Sequence, residues 1–396
     1  MKPGLRHLRV FLALLDCGTV TEAARQCNVS QPAASQAIGR LEAEAGVMLI
    51  HHGRDAKGPT EAGELYGDRV RRALARLDAA LVAVAPRLVL TATRAQLTAL
   101  IGVRDAANFT LAAKRLGLAQ PTVHRAVTQL ESEAGRPLFQ RNGRWVQPGR
   151  QARLLADAAR LSFSELDQAA VALAEHAGRE AGEIVVGAMP LSRSVVLPRA
   201  IAEFRALRPN LPIRVMDGPY DDLLAGLRRG EVDILIGAMR NPVPVSDVSQ
   251  QSLFQDDLVL VVRPDHALAG VKDVKIEDMA HYPWVVPRRD TPARAQFERF
   301  LGKDFASRPA IIESSSLILM RELLMVTDHI GCISRLQASA EIALGVLTPL
   351  DLRLPGSSRD IGLTLRDDWL PTGAQAQFLD ILQRIGAELA LSGQGG

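Results

Sequence analysis

Aromatic residues make up only 4% of this 396-residue chain, so stacking platforms for single-stranded nucleic acid are not expected. The three cysteines, Cys17, Cys27 and Cys332, are odd in number and form no Cys-x-x-Cys. That pattern argues against a disulfide framework or a zinc site and for reduced thiols in the cytoplasm. No apolar run approaches the ~20 residues of a membrane span, and charges break every short apolar stretch near the N-terminus, so neither a span nor a secretory signal is read. A nucleophile elbow, a phosphate loop, metal-ligand spacing and Gly-x-Gly-x-x-Gly are all missing. Asp328, His329 and Cys332 form the one cluster that invites an enzyme reading, yet Gly331 to Ser334 reads as a buried strand. No enzyme, no metal and no cofactor is therefore expected.

What is present begins with length. A chain of 396 residues exceeds the roughly 250 to 300 at which single cores stop growing, which implies several domains. Its charge is uneven: residues 1–180 carry 24 Lys and Arg against 17 Asp and Glu, or +7, and the rest 23 against 27, or −4. A basic front suits a polyanion, with duplex nucleic acid left open, or simply a solvated surface. Self-comparison then finds a repeat. With a shift of 89 residues, Thr21 falls on Thr110, Ala23 and Ala24 on Ala112 and Ala113, Gln31 and Pro32 on Gln120 and Pro121, Leu41 and Glu42 on Leu130 and Glu131, and Gly46 on Gly135.

Each unit spaces its apolar residues helically between close breakers. Leu5, Leu8, Phe11, Leu12 and Leu15 mark a first helix ending at Cys17, and Thr21 to Gln26 forms a short second one. Ser30 then caps a third helix whose first turn tolerates Pro32, running to about Glu44. The second unit repeats this over Leu97 to Asp105, Thr110 to Arg115 and Gln120 to Glu133, with Ala119 at the capping position. Val47 to Arg54 and Pro137 to Arg144 read as wings. Long amphipathic helices follow, Glu61 to Val84 and Gln151 to Glu175, whose stripes either pack on their own unit, seam two protomers, or pair with each other.

The third helices carry side chains with base-reading and phosphate-anchoring chemistry. In the first unit these are Gln31, Ser35, Gln36 and Arg40, with Ser30 and Pro32 beside them at the helix start and Arg54 in the wing. In the second they are Gln120, Thr122, His124, Arg125 and Gln129, with Arg141 in the wing. The run Thr21-Glu22-Ala23-Ala24, Val29-Ser30-Gln31-Pro32-Ala33-Ala34-Ser35, Leu41-Glu42 and Gly46 resembles the winged helix-turn-helix of LysR-type transcriptional regulators, and the second unit resembles it too. Each departs from the pattern differently. The first has Ile50-His51-His52 where the family favours Leu-Phe-x-Arg, whereas the second keeps Leu138-Phe139-Gln140-Arg141 but reads Pro148-Gly149-Arg150-Gln151 after the wing. One unit could thus be degenerate for DNA.

From Glu183 short apolar strands alternate with helices, which predicts a mostly parallel α/β sheet whose ligand lies beyond the strands' carboxyl ends. This region resembles the effector domain of the same regulators, implying two lobes of the type 2 periplasmic binding protein fold. The expected layout is winged helix-turn-helix units at 1–60 and 90–149, linker helices at 61–89 and 150–181, one effector subdomain at 182–263 with 357–396, and the other at 264–356. Ser192 and Ser194, at a helix start, are the first candidate ligand groups, with Leu191, Pro219, Tyr220 and Arg240 beside them. Arg288, Ser314, Ser315 and Ser316 are expected to face them from the other lobe.

The resemblance implies a cytoplasmic regulator that binds double-stranded DNA under control of a small effector, a sugar or an aromatic acid. It also brings in RNA polymerase as a candidate partner, no membrane, and a homodimer or homotetramer. The alternative is a small-molecule receptor with the helix-turn-helix units as scaffold.

Overall fold

The computed structural model describes residues 3–51, 58–142, 145–302 and 311–393, apart from the side chains of 141, 142, 392 and 393. It divides into two compact units, residues 1–182 with 229–231, and residues 183–228 with 232–396. The first contains α1 (Leu5–Cys17), α2 (Val20–Gln26), α3 (Gln31–Ala45), α4 (Glu61–Val84), α5 (Leu88–Thr91), α6 (Arg94–Ala106), α7 (Phe109–Leu116), α8 (Gln120–Ala134), the antiparallel hairpin β1 (Phe139–Asn142) and β2 (Trp145–Pro148), and α9 (Arg150–His176). Side chains of Thr19, Ser30, Thr60, Thr93 and Asn108 accept from backbone N–H groups in the first turns of α2, α3, α4, α6 and α7, whereas Ala119 leaves α8 uncapped. Two details differ from the sequence reading. The one-turn α5 has no periodic signal, and a capping box of Thr93 and Gln96 starts α6 at Arg94, ahead of the expected Leu97.

The 89-residue shift holds in three dimensions. Glu42 Oε1 accepts from the N–H groups of Leu49 and Ile50 at 2.9 and 3.1 Å, and Glu131 Oε1 accepts from Leu138 and Phe139 at 2.7 and 3.1 Å. Arg71 pairs with Asp16, and Arg160 with Asp105. The segment after the first wing runs so close that a Cβ at Gly63 would overlap the Leu49 carbonyl.

Of the three readings of the long helices, the structure shows the first and the third: α4 packs on α1 and α9 on α6 within their own units, α4 and α9 also pack on each other, and one continuous apolar core joins both helix-turn-helix units. The buried Ser162 Oγ donates to the Ala73 carbonyl at 2.8 Å, and these two residues are themselves equivalent under the shift.

The second unit holds two five-stranded sheets. The first orders β4 (Ile213–Met216), β3 (Ile184–Ala188), β5 (Ile234–Ala238), β12 (Arg359–Arg366) and β6 (Val248–Asp256). The second orders β11 (Thr348–Pro349), β7 (Leu258–Val262), β10 (Ile330–Ser334), β8 (Trp284–Val286) and β9 (Ile311–Glu313). Helices α10 (Val196–Leu207), α11 (Tyr220–Arg228) and α15 (Gly373–Gly393) flank the first; α12 (Pro292–Leu301), α13 (Leu317–Val326) and α14 (Ser339–Ala343) accompany the second. As expected of a mostly parallel sheet, four strands of each sheet run in one direction; the exception is β12, which opposes β5 and β6, in the first and β7, which opposes β10 and β11, in the second.

The expected first crossing near residue 263 also moves. Leu258 to Val262 is a strand of the second sheet, so the chain changes lobes between Asp256 and Leu258. Arg359, at the return, meets Asp256 at 2.8 Å, with their side chains 10% and 3% exposed, so an ion pair ties the two crossings together.

Candidate DNA interface and ligand cleft

The recognition helices bury one stripe and expose the other. In α3, Ala34, Ala37, Ile38 and Leu41 face the core, while Ser30, Gln31, Pro32, Ser35, Gln36 and Arg40 are exposed. In α8, Val123, Val127 and Leu130 are inward, and Gln120, Thr122, Arg125 and Gln129 are exposed. His124 is half-buried, its ring 5.2 Å from that of Phe109 at the start of α7. Gln129 Nε2 donates to Glu133 at 3.1 Å. Arg54 and the side chain of Arg141 lie outside the described residues.

Between the sheets of the second unit opens a cleft of about 1140 Å³. Ser194, Pro219, Tyr220, Arg240, Arg288, Ser314, Ser315 and Ser316 all line it, as do Met189, Arg193, Asp217, Arg289 and Glu313, which the sequence reading missed. Loop position alone could have suggested the arginines, since Arg193 lies in the turn that follows β3 and Arg289 in the loop that follows β8.

Ser192 is the exception and corrects the first-ranked site. It is fully buried in a 3-10 turn (Pro190–Arg193), and its hydroxyl donates to the Met189 carbonyl at 2.8 Å and approaches that of Ile236 at 3.4 Å. A backbone left uncovered at the end of β3 takes the hydroxyl before any ligand can. Leu191 is buried as well, beside a smaller inner cavity of about 110 Å³ that also touches Met320, Cys332 and Ile361. Two of the second-lobe serines serve the backbone in part: Ser314 Oγ accepts from the Ser316 N–H at 3.1 Å, and Ser316 Oγ from that of Leu319 at 3.2 Å.

Charge within the cleft is only partly balanced. Arg193 pairs with Asp217 at 3.2 Å and Arg289 with Glu313 at 2.8 Å. Burial works to raise the Glu313 pKa, but the Arg289 and Arg294 guanidinium groups outweigh it and hold the carboxyl below its ordinary range. Arg240 lies over the Tyr220 ring at 4.5 Å, and neither Arg240 nor Arg288 has an acidic partner among the described residues. Burial raises the Tyr220 phenol pKa, and its oxygen has no hydrogen-bond partner among the described residues. The Cys332 thiol, fully enclosed in β10, is pushed up to about 12 by burial, which removes the nucleophile an enzyme reading would need.

Paired recognition helices ahead of a cleft between two α/β sheets make a ligand-responsive DNA-binding regulator. Comparison with known proteins agrees. The model of the bacterial regulatory helix-turn-helix, LysR family, matches residues 5–64 and again 95–153, and that of the LysR substrate binding domain matches 177–386. The HTH-type transcriptional regulator GalR of Pseudomonas putida is 31% identical over 98% of both chains. PcaQ of Agrobacterium fabrum is 27% identical over 70% of this chain and 90% of its own. Among solved structures, a full-length OxyR variant from Pseudomonas aeruginosa covers 75% of this chain and 94% of its own with a TM-score of 0.54 at 21% identity, and CbnR covers 74% and 98% with 0.51 at 20%. This chain belongs to the LysR family of DNA-binding transcription regulators; its relatives are regulators, not enzymes. No helix among the described residues is long and apolar enough to cross a membrane.

Proposed function

We propose that the chain is a tandem-headed regulator in which both helix-turn-helix units, products of a duplication, contact duplex DNA, and that a small organic acid bound in the cleft modulates this binding. The exposed faces of α3 and α8 supply the DNA contacts: Gln36 and Arg125 at base edges, Arg40 and the wing arginines Arg54 and Arg141 at phosphates. Thr122, Gln120 and Gln31 flank them. The second unit then resembles a type 2 periplasmic binding protein, closing on its ligand by movement about the Asp256–Arg359 crossing.

One observation carries the effector class: Arg240 and Arg288 reach one cleft without acidic partners, beside the unpartnered Tyr220 oxygen and the apolar Met189 and Pro190. Two such cations favour a carboxylate, and the apolar wall favours an aromatic acid over a sugar. Ser194, Ser315 and Pro219 complete the cradle.

Calorimetry of the full chain against benzoate-type acids and neutral sugars tests this. Arg240→Ala with Arg288→Ala should weaken acid binding at least tenfold and leave duplex retardation without ligand unchanged. Binding of a neutral sugar that ignores both substitutions would refute the acid reading.

A further inference from the structure

The first unit is built from repeated halves, but its two halves are not interchangeable. Residue 73 touches its own equivalent, 162, midway along α4 and α9. Arg69, one turn earlier on α4, lies within electrostatic reach of Glu165, almost one turn later on α9. The helices therefore run antiparallel about a pseudo-two-fold axis near Ala73 and Ser162. Arg69 is 4% exposed and Glu165 1% exposed, so both charges are enclosed at the seam. Burial lowers the Arg69 guanidinium pKa, and the Glu165 charge opposes that shift.

Under the 89-residue shift Arg69 becomes Ala158 and Glu165 becomes Arg76. The pairing is thus one-sided, and this decides which helices can associate. Two α4 helices meeting in the same register would set Arg69 against Arg76 twice. Two α9 helices would bury two Glu165 carboxylates against Ala158. Only α4 with α9 brings a buried cation to a buried anion, and enclosed charge without a partner is strongly disfavoured.

The recognition helices held by this seam are also unlike. At equivalent exposed positions α3 presents Ala33, Gln36 and Arg40 where α8 presents Thr122, Arg125 and Gln129. Glutamine pairs bidentately with adenine and arginine with guanine. We propose that a single chain reads a bipartite element of two unlike half-sites, the α3 half centred on an adenine contact and the α8 half on a guanine contact, with the Arg69–Glu165 seam excluding like-with-like pairing of the units. This rests on the reading that both units contact DNA. An assembly of chains would repeat or invert the whole element without making its two halves alike.

The test is selection of the full-length chain on a randomised duplex pool. The expected smallest enriched element has two different halves at fixed spacing, with Gln36→Ala altering preference in one half only and Arg125→Ala in the other only. A smallest element made of two identical inverted halves overturns the inference while leaving DNA reading by both units intact. Preference that responds to Arg125→Ala but never to Gln36→Ala shows one reading unit and overturns both this inference and the proposal beneath it.

The seam is tested on the selected duplex. The wild-type chain should bind it about 100-fold or more tighter than either half alone. Arg69→Glu should cut that ratio at least tenfold with half-site binding unchanged, which also reports that the units remain folded. The exchange Arg69→Glu with Glu165→Arg should restore it. A ratio indifferent to Arg69→Glu removes the charge pair from the account.

Discussion

Ser192 shows how a good residue type in a good place loses its function to the backbone. Its hydroxyl lies at the end of β3 near the cleft, but the turn closes over it and two carbonyls take the proton. Ser192→Ala should therefore cost about 1 kcal/mol of stability and leave the affinity for an acid ligand within twofold, a contrast that calorimetry and thermal melts can read together. Cys332 loses reactivity for a related reason. With its thiol pushed up to about 12, only about one molecule in ten thousand is thiolate at pH 8. Iodoacetamide at pH 8 should label the half-buried Cys17 and Cys27 long before Cys332, which becomes reactive only on unfolding. Rapid labelling of Cys332 in the folded chain would contradict its enclosure.

At the scale of elements, equivalent helices differ in how they begin. Ser30 caps α3, with its Oγ accepting from the Ala33 N–H, and Ala119 gives α8 no such partner. Ala119→Ser should stabilise the chain by about 0.5 to 2 kcal/mol, seen as a raised Tm. The reverse change, Ser30→Ala, should lower it by a similar amount. The crossing strands offer a stronger case. Asp256 is buried and the Arg359 side chain nearly so, and burial moves each pKa against its charged form. Replacing Arg359 with Met alone leaves a buried carboxylate unpaired and should cost about 3 to 5 kcal/mol. Replacing both partners with apolar residues should cost much less, and denaturant titration of the single and double variants measures the difference.

For the whole molecule, the sharing of one core by both helix-turn-helix units has a practical consequence: neither can be deleted without exposing the apolar seam of the other. Their DNA contacts are better counted by salt. If Arg40 holds a phosphate, Arg40→Ala should reduce the slope of log K against log salt by about 0.9. An unchanged slope removes Arg40 from the phosphate contacts.

The sequence by itself determined the helix-turn-helix pair, the limits of α4 at Glu61 and Val84, the α/β texture after residue 183 and eight of the residues that line the cleft. These follow from local causes, namely apolar period, caps, breakers and the 89-residue repeat, which act over a few turns and are legible in order. Which way a side chain's hydrogen bonds are satisfied was not legible, since Ser192 and Ser194 are the same residue type two positions apart with opposite exposure. The strand that carries the chain across the lobes was not legible either, because Leu258 to Val262 is equally apolar in either sheet. Only the tertiary structure decided that α4 packs on α9, since that contact joins residues such as Ala73 and Ser162, 89 positions apart, in one apolar core that no local pattern along the chain specifies.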